Sequence, residues 1–132
     1  MYLNTFAFSF DILLLRETWL RDSECGLFSI PGYTGNFVCR QDRIGGGVAF
    51  YIKSNFKIKL LPDLSNSTGL YNNASVSVES LFIEVLAVCK CSFIVGCVYN
   101  PPNNCNDIFS NYLCCLLHKI KDRKVCFGGY EC

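Results

Sequence analysis

Charge excess is what this chain most lacks. Twelve basic and eleven acidic side chains in 132 residues leave a formal net charge of +1. A dedicated nucleic-acid binder usually carries a clear basic surplus. Here positive charge gathers only locally, at Lys53, Lys57 and Lys59 and again at Lys119, Lys121, Arg123 and Lys124. Long apolar runs are also missing. None approaches the roughly 20 residues that a membrane-spanning helix needs, so no membrane partner is expected. The N-terminus has no basic n-region, and Asp11 interrupts the apolar stretch from Phe6 to Leu15, which argues against a secretory signal. There is no internal repeat and no low-complexity segment. Nothing in the sequence marks an obligate protein partner.

Paired C-x-x-C units are absent despite ten cysteines. Cys89 and Cys91 lie in a strand-like segment, and Cys114 and Cys115 are adjacent. Such irregular spacing argues against zinc. Without a secretory signal the cysteines are expected to be mostly reduced, buried, small hydrophobes. The sequons at Asn66 and Asn73 would matter only in a secreted chain. Histidine occurs once. His118 lies beside Leu117 in a helical pattern with no ligand partner nearby, the setting of a partly exposed helix histidine. The glycines at 45–47 lack a following Gly-Lys-Ser/Thr ending, so they form no phosphate-binding P-loop. Before a strand they imply a tight turn or a close backbone approach.

Apolar content is ample, at 51%, so a chain of this length can bury one core. Asp11 to Leu15 is expected to be a buried strand ending near a lone carboxylate, Glu17. Residues 21–36 read as loop, punctuated by Gly26, Pro31, Gly32 and Gly35. Phe37 to Cys39 reads as a short strand. Val48 to Lys59 reads as one strand, with Val48, Phe50 and Ile52 on one face and Ala49, Tyr51 and Lys53 on the other. A polar loop spans Leu61 to Ser75. Val78 to Val88 and Ser92 to Tyr99 follow as neighbouring strands. Phe93, Val95, Cys97 and Tyr99 share a face, which puts the Tyr99 hydroxyl at the sheet end before Pro101-Pro102 stops the strand. From Asp107 to about Lys121, Phe109, Tyr112, Leu113, Leu116, Leu117 and Ile120 form one helical stripe, capped by Asn106 or Asp107. Val125 to Phe127 begins another strand, running into Gly128-Gly129-Tyr130-Glu131. Strands dominate and at least one helix joins them, the mark of an α/β fold with helices packed on sheets.

Four stretches, in order, carry a resemblance. They are Asp11-Ile-Leu-Leu-Leu-Arg-Glu-Thr-Trp-Leu20, Arg43-Ile-Gly-Gly-Gly-Val-Ala-Phe-Tyr-Ile-Lys53, Glu79-Ser-Leu-Phe-Ile-Glu84 and Val98-Tyr-Asn-Pro-Pro102. With the helix and the Gly128-Gly129-Tyr130-Glu131 ending, they cover residues 11 to 131. The chain resembles the endonuclease/exonuclease/phosphatase family, and within it the apurinic-type endonuclease domain of non-LTR (LINE-type) retrotransposons. The resemblance implies a four-layer α/β sandwich, two packed β-sheets with outer helices, here incomplete at both ends. It implies a Mg²⁺-dependent phosphodiesterase acting on DNA, inside the cell, with the nucleus among the candidate compartments. Glu17 matches the family's metal-ligand glutamate and Tyr99 its phosphate-contacting tyrosine.

Departures from the family pattern qualify what activity to expect. Where the family has Gly-Asp-Phe-Asn, this chain has Gly129 in place of the water-activating aspartate and Glu131 in place of the asparagine. The family's later aspartates and its catalytic histidine are not matched. The expectation is therefore an impaired endonuclease domain with weak Mg²⁺ binding. The alternative is a non-catalytic structural or nucleic-acid-binding remnant. A secreted cysteine-rich domain is disfavoured.

Overall fold

A computed structural model of the chain describes residues 9–40, 44–65, 78–86, 92–102 and 105–121. Six strands and one α-helix lie among them: β1 Ile12–Arg16, β2 Tyr33–Val38, β3 Val48–Lys53, β4 Lys57–Leu60, β5 Glu79–Leu86, β6 Ser92–Tyr99 and α1 Asn106–Ile120. The strands form two three-stranded sheets, ordered β1-β3-β2 and β4-β5-β6, with every pairing antiparallel. This is an α/β chain consistent with part of an α/β sandwich.

Period-two patterning explains how the sheets meet. Val48, Phe50 and Ile52 of β3 pack against Leu81, Ile83 and Val85 of β5, with Tyr99 of β6 in the same core. Ile12 and Leu14 of β1 and Phe93, Val95 and Cys97 of β6 complete it from the sides; β1, expected to be buried, is an edge strand whose first three residues are only half-buried and whose Leu15 and Arg16 are exposed. The faces expected for β3 and β6 are those observed. Opposite parity on the second sheet faces the helix. Phe82 and Ile94 pack there with Tyr112, Leu116 and Ile120 of α1, and with Leu61, Leu64 and Val78. The three α1 residues recur at spacings of four, which keeps them on one stripe of the helix.

Several boundaries differ from expectation, each for a local reason. Val48 to Lys59 is two strands, one in each sheet. The chain turns between them, closed by the Phe56 N–H donating to the Lys53 carbonyl at 3.0 Å. Residues 21–36 are not all loop. Cys25–Leu27 is a 3-10 turn, and β2 already starts at Tyr33. The N-cap of α1 is Cys105, and no side-chain cap bond forms. Neither Asn106 nor Asp107 caps it, because both fall inside the first turn. Among the described residues, the expectation of buried cysteines holds for Cys39 alone. Cys25 and Cys97 are partly buried, while Cys105, Cys114 and Cys115 are exposed and in no disulfide. Cys114 and Cys115 sit between the buried Tyr112 and Leu116 and so fall off the apolar stripe. The strand expected at Val125 lies outside the described residues.

Candidate functional site

One end of the sandwich collects the end of β1, the end of β2, the start of β3, the start of β5 and the end of β6. The ladders fix this: Arg16 and Val38 both stand opposite Val48, and Glu79 stands opposite Tyr99.

Glu17 follows β1 directly and has a left-handed backbone, with φ 54°, and Trp19 repeats this at φ 57°. Non-glycine residues in that region carry a local conformational cost. The neighbouring strand holds the turn in place, since the Trp19 N–H donates to the Gly46 carbonyl at 2.9 Å and the Thr18 N–H to the Gly47 carbonyl at 3.4 Å. The result is an exposed Glu17 carboxylate beside an exposed Trp19 indole. The Tyr99 hydroxyl, from the other sheet, donates a hydrogen bond to Glu17 Oε1. The structure thus joins the two residues that the sequence singled out 82 positions apart.

Tyr99 is a durable donor. Burial pushes its phenol up to about 12, with the hydrogen bond to Glu17 adding to the shift. It keeps its proton throughout the neutral range.

Behind this pair lies an ion pair that sequence reasoning missed. Glu79 is 1% exposed. Its Oε1 accepts from Arg40 Nε, and its Oε2 accepts from the Gly47 N–H at 2.5 Å. A buried carboxylate needs such partners, because leaving it uncompensated is costly. The triple glycine makes the arrangement fit. A Cβ on Gly46 would stand 2.5 Å from the Arg40 guanidinium carbon, and one on Gly47 would stand 2.5 Å from Thr18 Oγ1. Both glycines also have positive φ. The expected close backbone approach is therefore the passage of Arg40 over Gly46 towards Glu79. Thr18 Oγ1 is buried and has no hydrogen-bond partner among the described residues. The signals that could have exposed this arrangement were present separately: a glutamate opening an apolar strand, and three glycines opening another.

Of the remaining sequence-picked residues, Gly129 and Glu131 lie outside the described residues. His118 is exposed on α1, its Nδ1 2.9 Å from the Cys114 carbonyl. Lys53 is engaged, since its Nζ donates to Asp11 Oδ1 at 2.8 Å. Lys57 and Lys59 are exposed on β4.

A hard divalent ion takes oxygen donors. Glu17 offers an exposed carboxylate, while both Glu79 oxygens are already engaged. At this end Glu17 is therefore the carboxylate open to such an ion. No helix among the described residues is long and apolar enough to cross a membrane. No family model matches the chain, and neither a curated protein nor a solved structure matches it.

Proposed function

We propose that this is an endonuclease/exonuclease/phosphatase-type domain of the non-LTR retrotransposon kind, built for Mg²⁺-dependent nicking of DNA but impaired in the hydrolytic step. The observation that supports it is the Tyr99–Glu17 hydrogen bond across the two sheets. Phosphodiester hydrolysis needs a charge-neutralising cation, a donor to the phosphate oxygens and an oriented water. Glu17 would supply the cation's protein ligand, and the bound ion would neutralise charge on the phosphate. Tyr99 now donates to Glu17. With a cation held by Glu17, the Tyr99 hydroxyl would be placed to donate to a phosphate oxygen instead. By the resemblance, Gly129 takes the place of the family's water-activating aspartate, and glycine has no side chain to orient water.

The test is conversion of supercoiled plasmid to open circle with Mg²⁺ or Mn²⁺, with Glu17→Ala as the control for contaminating nuclease. The two proteins should be indistinguishable. Nicking by the parent chain that the control abolishes would overturn the impairment. A second reading, a non-catalytic nucleic-acid-binding remnant, is favoured by the exposed Lys57 and Lys59. It requires DNA binding without Mg²⁺ that Lys57→Glu with Lys59→Glu removes and Glu17→Ala leaves intact.

A further inference from the structure

Where β2 ends, a second cluster forms, with different donor chemistry. One ligand atom each from Asp22, Cys25 and Cys39 lie within 4.8 Å of one another. We propose that Asp22, Cys25 and Cys39 are a binding site for a thiophilic divalent cation, with Zn²⁺ the metal that their donors suit. The inference is independent of the nuclease reading, because it uses neither Glu17 nor Tyr99.

Local structure presets the donors. Asp22 and Cys25 are three residues apart in a tight turn. That turn is closed by the Glu24 N–H donating to the Arg21 carbonyl at 2.8 Å and by the Arg21 N–H donating to Glu24 Oε2 at 2.9 Å. The Leu27 N–H continues it, donating to the Glu24 carbonyl at 2.9 Å. A spacing of three places both side chains on one side of the turn, as the paired cysteines of many zinc sites are placed. Cys39 comes from the end of β2 and is 2% exposed. It directly follows Val38, the last residue that the ladder pairs with β3. The sequence reading missed the cluster because it sought cysteine pairs, and here an aspartate takes one position.

Distances favour a metal over a disulfide. The two sulfurs stand 3.3 Å apart. Sulfurs bound to one tetrahedral Zn²⁺ at about 2.3 Å each lie about 3.8 Å apart, whereas a disulfide needs about 2.05 Å. The carboxylate points the same way, since a disulfide has no use for it and a cation does. Binding then releases the two thiol protons: the ion joins two thiolates and one carboxylate, and no redox change occurs. Asp22 is exposed, so the fourth tetrahedral position faces solvent and takes water. Mg²⁺, which prefers oxygen donors, is excluded by the sulfurs.

Co²⁺ titration of the full chain under a non-chelating reductant tests this. Expected are sulfur-to-cobalt charge-transfer absorption and tetrahedral d–d bands at one equivalent, both displaced by Zn²⁺. Cys25→Ser and Cys39→Ser should each weaken binding by more than the roughly 10–100-fold that loss of an outer-shell partner costs. Asp22→Asn should weaken it while leaving the charge-transfer band. Cys25 is only partly buried, so its variant guards against a failure to fold. Bands that survive Cys25→Ser would place the metal on other cysteines and overturn the proposal. So would a reduced chain that binds no Co²⁺, including one that instead forms a Cys25–Cys39 disulfide on oxidation.

Discussion

Gly35 stands opposite Tyr51 in the first sheet, and Gly96 stands opposite Phe82 in the second. In both sheets a glycine on a flanking strand leaves room for an aromatic ring on the outer face of the central strand. The coverings of those faces differ. Phe82 lies under α1 in a closed core with Tyr112, Leu116 and Ile120. Tyr51 is covered by the edge of Phe37, with ring centroids 5.6 Å apart at 90°, and by the loop that offers it the Phe28 carbonyl. Leu15 and Phe28 remain exposed near that face. A helix seals by packing, whereas a loop seals by a few contacts. The loop-covered sheet also holds the strained backbone at Glu17 and Trp19 and the Asp22-Cys25-Cys39 cluster. The first-sheet residues proposed to bind ligands, Glu17 and the Asp22-Cys25-Cys39 cluster, sit where packing constrains least, as binding groups on loops over a rigid support do, while Tyr99 meets Glu17 from the helix-covered sheet.

The largest test breaks the link between the sheets. Arg40 follows β2 and Glu79 opens β5, so their ion pair ties the first sheet to the second. Arg40→Ala strands a buried carboxylate and should cost about 3–5 kcal/mol. Adding Glu79→Gln removes the stranded charge and should recover part of that loss. Urea unfolding measures both. A cost under about 1 kcal/mol for the single variant would mean that water reaches Glu79 and that the pair is not buried.

Next comes the pair of glycines. A Cβ on Gly96 would stand 2.0 Å from the Phe82 ring, whereas one on Gly35 would stand 2.9 Å from the Phe37 ring. Phe82 is held by the helix core and cannot swing away, so Gly96→Ala should cost about 3 kcal/mol, the upper end for overpacking. Phe37 is only half-buried and can move, so Gly35→Ala should cost below about 1 kcal/mol. Equal losses in thermal or urea unfolding would remove the distinction between the two coverings.

Alkaline pH probes the seam at Tyr99. Its phenol rises from 10.0 to about 12 on folding. The folded state holds the proton more tightly, so this contribution is complete below pH 10 and is lost between pH 10 and 12. Two units correspond to a loss on the order of 2 kcal/mol. Cys39 moves in the same direction, from 9.0 to about 12, so stability should begin to fall from pH 9. Comparing the chain with Tyr99→Phe isolates the tyrosine, because both proteins keep Cys39. The stability gap between them should narrow as pH climbs from 10 to 12. A gap that stays constant would show that Tyr99 ionises as readily folded as unfolded.

Much of this architecture was legible because period-two patterns survive any fold that buries one face. The alternation in β3, the shared face of β6 and the Tyr112-Leu116-Ile120 line of α1 follow from spacing, whereas Leu117, expected on the same stripe, is exposed. Pairing Glu17 with Tyr99 came from motif resemblance, not from periodicity. The corner between β3 and β4 was hidden for a physical reason. Phe56 and Ile58 keep the parity of Val48, Phe50 and Ile52, and all five enter the same core between the sheets. The chain crosses from one sheet to the other without changing which parity faces inward, so the sequence reads as one strand. Ser54-Asn55 was the available turn signal. Arg40 with Glu79, and Cys39 with Asp22, depend on contacts between distant segments that no local pattern encodes.

The smallest effect separates the two coverings at a single hydroxyl. Ser80 Oγ donates to the Leu64 carbonyl at 2.9 Å and lies 2.6 Å from the Tyr112 hydroxyl under α1. With its proton given to Leu64, Ser80 accepts from Tyr112. Tyr112→Phe therefore leaves a buried acceptor without that donor, in a place sealed by the helix, and should cost about 1 kcal/mol. The Tyr51 hydroxyl donates to the Phe28 carbonyl at 2.5 Å. Phe28 is exposed, so water can replace the lost donor, and Tyr51→Phe should cost less than about 0.5 kcal/mol. Both variants keep the ring and so keep the apolar burial. The difference in their urea midpoints reads how dry each outer face is. If Tyr51→Phe costs as much as Tyr112→Phe, the loop seals the first sheet as well as the helix seals the second. The site-bearing side would then be no looser than its partner.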